Sequence, residues 1–187
     1  MSIGRGKVAA CAAVVLMTLL TVEVVQSQQS RVASGQAEVP DGALARVVRQ
    51  STAPFQDVRA AMAAGYVLSG GCVSGPEEGA MGVHFVNGSL VGDGVLDAAR
   101  PEVLVYEPRN GQFQLVAVEY LVIAEQWDAS NAHPPVLYGQ HFHYVPAPNR
   151  TGLDAYYELH VWAWKRNPHG TFADWNPRVS CDAYSPQ

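Results

Sequence analysis

The stretch Leu115-Val-Ala-Val-Glu-Tyr-Leu-Val-Ile123 decides the fold class. Side chains alternate across a strand, so one face carries Leu115, Ala117, Glu119, Leu121 and Ile123, and the other carries Val116, Val118, Tyr120 and Val122. Neither face is polar. A strand of this kind is expected to be covered on both sides. Upstream, Glu102 to Glu107 is a second β-type run. It is joined to Phe113–Ala124 through Arg109-Asn110-Gly111, and Asn-Gly between two such runs predicts a tight hairpin. Met81 to Asn87 reads as a further strand. Val136 to Val145 and Ala155 to Trp164 read as a second hairpin across Pro146 to Gly152.

Before these strands the pattern is helical. Asp41 to Gln50 predicts a short helix. A second is capped by Ser51 or Thr52, carries Pro54 in its first turn and ends at Gly65. Phe55, Val58 and Met62 recur at helical spacing and would face the core. Ser69 to Ala80 is rich in glycine and reads as a long loop. The tail from Lys165 contains Asn167-Pro168, Asn176-Pro177 and Ser185-Pro186, and reads as an irregular strap. The expected fold is α+β: short N-terminal helices on a mainly antiparallel sheet or small barrel.

The first 27 residues stand apart. Arg5 and Lys7 precede an apolar stretch from Val8 to Leu20, and Val25-Gln26-Ser27 suits a cleavage site. This is the pattern of a secretory signal peptide, which makes the product secreted or periplasmic. The alternative, an uncleaved anchor, meets an apolar run shorter than the ~20 residues a spanning helix needs. Residues 28–40 read as a flexible lead-in and 41–187 as a single globular domain. The chain of 187 residues has a net charge of −5, and loss of Arg5, Lys7 and Glu23 with the signal leaves Lys165 as its lone lysine. No basic cluster is present, which argues against nucleic acid and anionic membranes as partners. A small-molecule ligand remains open. With Cys11 in the signal, Cys72 and Cys181 are left, and two cysteines in an exported chain are most simply one disulfide. A pair of metal thiolates is the competing reading, and no CxxC spacing supports it.

Glu119 is the carboxylate that demands an explanation. A lone buried charge costs several kcal/mol after relaxation, so it must be neutralised, paired with arginine or bound to a cation. All six histidines lie between residues 84 and 169. His141 and His143 form an H-x-H pair whose rings share one strand face, and His84 and His160 lie in other strands. The expected site is three nitrogen ligands and one oxygen, from His84, His141, His143 and Glu119, with His160 as substitute or second-shell group. Imidazole with carboxylate suits a divalent transition metal such as Zn, Mn, Fe, Ni or Cu. With an open position it would support a hydrolase or oxygenase acting on a small molecule. The alternatives are hydrogen-bonded or solvent-facing histidines with Glu119 paired to an arginine.

Other chemistry is less well marked. No Gly-x-Ser-x-Gly elbow occurs, and disulfide pairing leaves no cysteine nucleophile. Glu77-Glu78 is an acid–base candidate, with a solvated loop pair as the favoured reading. Trp162 and Trp164 share a strand face with Glu158 and His160, and with Trp175 they are candidates for stacking on a sugar; core packing is the competing reading. Two function classes therefore stand beside the metal-dependent enzyme: a non-catalytic metal- or ligand-binding module of the cell envelope, and a carbohydrate-binding module.

The segment Leu159-His-Val-Trp-Ala-Trp-Lys-Arg-Asn-Pro-His-Gly-Thr-Phe-Ala-Asp-Trp-Asn-Pro-Arg-Val-Ser-Cys181 resembles the ending of a group of exported, uncharacterised bacterial proteins, whose pattern also includes Met81-Gly-Val-His-Phe-Val-Asn87 and Val118-Glu-Tyr120. This resemblance spans about residues 55–183 and implies no activity. The order His84, Tyr106, Glu119, His141 and His143 is similar to that of the plant and fungal oil body-associated proteins, although His84 stands alone where that family has two adjacent histidines. That likeness implies that these polar residues meet in space. The H-x-H is also a cupin feature, but the cupin glutamate follows the pair closely and Glu119 precedes it.

Overall fold

A computed structural model describes residues 42–185. The signal and lead-in expected over residues 1–40 lie outside the described residues, as does Cys11.

Helix α1 spans Ala43–Thr52 and buries Leu44, Ala45, Val48 and Thr52 along one stripe. A 3-10 turn, Ala53–Gln56, carries Pro54 near its start, and helix α2 spans Val58–Ala63. The expected single second helix is thus split. Thr52 is no cap: its hydroxyl is buried, donates to the Val48 carbonyl at 2.7 Å and accepts from Trp164 Nε1 at 3.0 Å. Asp57 caps α2 instead, its carboxylate accepting the Arg59 N–H at 3.0 Å. Phe55 and Val58 pack against the core, whereas Met62 is 58% exposed, contrary to its helical spacing. In this short helix the buried residue is Ala61 rather than Met62.

Strands β1 (Val67–Gly75), β2 (Gly79–Val86), β3 (Val103–Arg109) and β4 (Gln112–Ile123) form an antiparallel run. Short helices α3 (Gly88–Val91) and α4 (Ala124–Asp128) follow β2 and β4. Strand β8 (Tyr156–Val161) pairs with β4, and β7 (His143–Val145) pairs with β8, giving a six-stranded sheet in the order β1-β2-β3-β4-β8-β7. The α+β expectation holds. So does the Asn110-Gly111 hairpin: both residues have positive φ, 52° and 74°, as a two-residue primed turn requires.

The glycine-rich stretch is not a loop. It folds into edge strand β1 and the turn into β2, with register shifts after Ser69 and Val73. Glycine there serves bulges and close approach. Gly79, with φ +89°, is one such place: an added Cβ would lie 2.4 Å from the Asn176 carbonyl oxygen.

One side of the sheet packs Leu104, Tyr106, Val118, Tyr120 and Leu159 with the helices. The other packs Val103, Val105, Val116 and Ala117 with Trp162 and Val179. Strand β4 is therefore covered on both faces. A register irregularity between Val105 and Tyr106 moves Leu115 to the helix side and Val116 to the other, opposite to simple alternation. Burying each such valine or leucine contributes roughly 1.5–3 kcal/mol.

After Val161 the chain becomes a strap. Cys72 and Cys181 are disulfide-bonded, their Cα atoms 5.7 Å apart, which ties the strap to β1. Lys165 Nζ meets Glu107 Oε2 at 2.6 Å, the Ser180 N–H donates to Glu107 Oε1 at 3.2 Å, and Ala80 and Asn176 exchange backbone hydrogen bonds. Among the described residues no helix is long and apolar enough to cross a membrane.

Candidate metal centre

Register builds the centre. Glu119 on β4 lies opposite Val103 on β3 and opposite His160 on β8, and His84 on β2 lies opposite Val105. The two valines are short, so the longer side chains of His84 and Glu119 meet above them. His84 Nε2 and His160 Nε2 each stand 3.7 Å from Glu119 Oε2. The imidazoles meet edge to face, with centroids 6.3 Å apart. One donor atom from each of the three residues falls within 4.8 Å of the others. Donors bound tetrahedrally at about 2.1 Å are separated by about 3.4 Å, so a first-row cation fits between them with little adjustment.

The side chains of His84, Glu119 and His160 are 13%, 6% and 0% exposed. Burial raises the Glu119 carboxyl to about 8; His160 opposes this, the neighbouring Glu158 adds to it, and Arg150 opposes it. Burial, followed by His160 and Arg150, pushes His84 down to about 3, which leaves its ring neutral with a lone pair to donate. Burial works against protonating His160, but Glu119, Asp174 and Glu158 together outweigh it and the net shift is upward.

Behind the ring, Asp174 Oδ1 is 3.6 Å from His160 Nδ1 and 3.3 Å from His143 Nδ1. Its pKa is lowered, mainly through its interaction with His160. Glu158, His160 and Asp174 form a second group of converging donors. Both nitrogens of His160, Glu158 Oε2 and Asp174 Oδ1 are buried without a hydrogen-bond partner among the described residues. Buried polar atoms are rarely left orphaned, and a cluster of them points to a bound ion or water.

The structure changes the expected ligand set. His84 and Glu119 come together as the sequence suggests, and His160, expected only in reserve, completes the triad. His141 and His143 do not join it. Val136–Val145 is not one strand: β5 (Val136–Leu137) and β6 (Gln140–His141) form their own small sheet around a turn in which Tyr138 and Gly139 have positive φ. Phe142 takes the buried position between the histidines, and both of them are exposed. His141 pairs with Val136 in the small sheet, and His143, which lies opposite Glu158 across β7–β8, has its Nδ1 3.3 Å from Asp174. Glu158 and Asp174 are additions that the sequence reading missed. Glu158-x-His160 carries the same alternation signal as the H-x-H pair; Asp174, in the strap, carries none.

Trp162 and Trp164 are taken up in packing, and the half-buried Trp175 faces Arg150. Strand β8 ends at Val161, after which Trp162 packs on the strap side and donates Nε1–H to the Ala173 carbonyl at 2.5 Å. Trp164 packs against the helix-side core. Glu77 and Glu78 are exposed in the β1–β2 turn.

His84 and Glu119 line a cavity of about 410 Å³ walled by Val86, Val103 and Leu121, with Arg150 at its edge. A larger cavity, about 710 Å³, lies by Phe85, Phe113 and Tyr184; it has no histidine, and its carboxylate, Asp57, is engaged by Arg59. The smaller cavity is the one that adjoins the buried histidine–carboxylate cluster. No family model, curated protein or solved structure matches the chain. The reading of the site therefore stands on its donor atoms. Two imidazoles and a carboxylate on one side, with space on the other, are the donor set of metal sites that keep a position free for substrate.

Proposed function

We propose that this chain is an exported metal-binding protein that holds one divalent transition metal through His84 Nε2, Glu119 and His160 Nε2, and acts on a small molecule bound in the adjoining cavity as a hydrolase or oxygenase. The supporting observation is the convergence of three buried donors, two of which open onto that cavity. A metal in such a site supplies Lewis acidity or redox chemistry. Asp174 would fix the His160 ring by accepting from Nδ1, as carboxylates commonly do behind metal-bound histidines. Export is supported by the leader pattern and by the Cys72–Cys181 disulfide.

A non-catalytic site is the second reading, and Glu158 favours it. Its carboxylate converges with His160 and Asp174 in a second buried donor group, which offers more ligands than an open three-ligand site uses.

Metal analysis of protein purified without a His tag tests the proposal. About one equivalent of transition metal is expected, lost in His160→Ala and kept in the His141→Ala/His143→Ala double variant. Less than about a tenth of an equivalent after metal supplementation overturns it. Cobalt substitution separates the two readings: an exchangeable solvent ligand supports the enzyme, and a closed four-ligand spectrum supports the binding module.

A further inference from the structure

The cavity beside the cluster carries a cation at its edge. Arg150, in the turn between β7 and β8, lines it together with His84 and Glu119. Two uncharged groups hold the guanidinium. Trp175 lies with its ring centroid 5.8 Å from Cζ, and Met81 Sδ is 2.8 Å from one of the terminal nitrogens. Trp175 is itself fixed, since its carbonyl accepts from Asn167 Nδ2 at 2.8 Å within the disulfide-tethered strap. Among the described residues Arg150 forms no ion pair. Its charge is felt instead by the site, where it depresses the basicity of His84 and opposes the upward shift of Glu119.

With one terminal nitrogen on Met81 Sδ and the indole beside it, the guanidinium still has N–H donors left over, and a carboxylate is the planar partner that matches them. The rest of the wall combines Val86, Val103, Leu121 and Leu153 with the hydroxyl-bearing Ser69, Thr151 and Tyr156. The cavity of about 410 Å³ falls within the size range of small-ligand pockets, ~300–1,000 Å³. One cation and a largely aliphatic wall suit a monocarboxylate with a short hydrocarbon or aromatic body.

We infer that Arg150 anchors the carboxylate of a small, otherwise apolar substrate, whose reacting portion then lies against His84 and Glu119. The second half of this statement rests on the metal-centre reading; the first does not.

Calorimetric titration of the disulfide-intact protein, both metal-free and zinc-loaded, with hexanoate and benzoate tests the anchor, and hexanamide and benzamide serve as uncharged matches. At least one acid should bind saturably to both forms, and its amide at least tenfold more weakly. Arg150→Gln should lose at least tenfold in affinity with metal content unchanged, and Arg150→Lys should fall between. The inference is overturned if neither acid binds, if amide and acid bind alike, or if Arg150→Gln binds like the wild type. Loss of affinity in Arg150→Gln only in the metal-free form would place the carboxylate on the metal and overturn it as well. If the protein takes up no metal and Arg150 still binds the acid, the anchor stands and the metal centre falls.

Discussion

His160 lies directly opposite Glu119 across the β4–β8 pair, with its Nε2 3.7 Å from Glu119 Oε2 and its ring fully buried. Two buried groups of opposite charge type are thus presented to each other without hydrogen-bonding. A cation between them would satisfy both, and would bind the folded chain far more tightly than the unfolded one. Binding of that kind stabilises by about 4 kcal/mol when the free metal is a thousand times its Kd. Thermal unfolding of the chelated and metal-loaded protein should therefore differ by about 10 °C or more. Glu119→Gln should abolish that difference. The chelated Glu119→Gln protein should be no less stable than the chelated wild type, because the substitution removes a carboxylate whose burial is costly. Equal metal-dependent stabilisation of wild type and variant would exclude Glu119 as a ligand.

Asp174 touches no expected ligand atom of the triad; it faces the far nitrogen of His160. Its loss should leave stoichiometry intact and weaken affinity. Asp174→Asn is expected to lower metal affinity about 10–100-fold, the usual range for a partner behind a metal-bound histidine. His143→Ala, which alters the exposed neighbour of Asp174, should have little effect. Competition with a chromophoric chelator measures both. An unchanged affinity in Asp174→Asn would remove the aspartate from the site.

The disulfide closes a separation of 109 residues and ties the strap that carries Asp174 and Trp175 to β1. Chain-entropy estimates give a loop of this length about 4–5 kcal/mol. The Cys72→Ala/Cys181→Ala variant should lose stability of that order in chemical denaturation. It should also bind metal more weakly, because Asp174 would no longer be held behind His160. A variant with lower stability but unchanged metal affinity would show that Glu107 and the Ala80–Asn176 bridge are enough to seat the strap.

The central strand and the hairpin beside it were legible because their signals are local: an unbroken apolar run in β4 and an Asn-Gly turn. Glu119 was legible for the same reason, as a carboxylate with no polar face to occupy. His160 could have been ranked higher, since Glu158-Leu159-His160 puts two donors on one face by the alternation applied to His141 and His143. The H-x-H pair misled because alternation says which residues share a face only while the strand continues. Here it breaks at Tyr138-Gly139 and again at Phe142, where burial of a phenylalanine overrides regular pairing. Bulges have the same effect in β1 and at Leu115-Val116. Asp174 was not legible at all. It reaches His160 through the path of an irregular strap, set by Glu107, Asn176 and Cys181, and such long-range positions leave no periodicity in the chain.

A second buried carboxylate lies away from the triad and gives the fold its own pH dependence. Glu102 is 1% exposed, and its Oε2 accepts the Leu121 N–H at 3.0 Å. Burial raises its carboxyl to about 8; hydrogen bonds from the Leu121 and Glu102 N–H groups lower it, while Asp93 and Asp97 raise it further. Arg100 feels the charge of Glu102 and is paired with Asp97, and the Tyr66 and Tyr120 hydroxyls, which also face Glu102, remain protonated well past neutrality. The native state thus holds a proton that the unfolded chain releases near its ordinary pKa of about 4.5. The stabilising contribution is complete below about 4.5 and is lost as pH rises through about 8. Glu102→Gln keeps an acceptor for the Leu121 N–H and removes the titration. The variant should match the wild type in Tm near pH 4 and exceed it by several degrees near pH 8.5, measured on metal-free protein so that the triad does not contribute. Parallel pH profiles for the two proteins would mean that Glu102 is ionised in the fold and that the carboxylate is solvated.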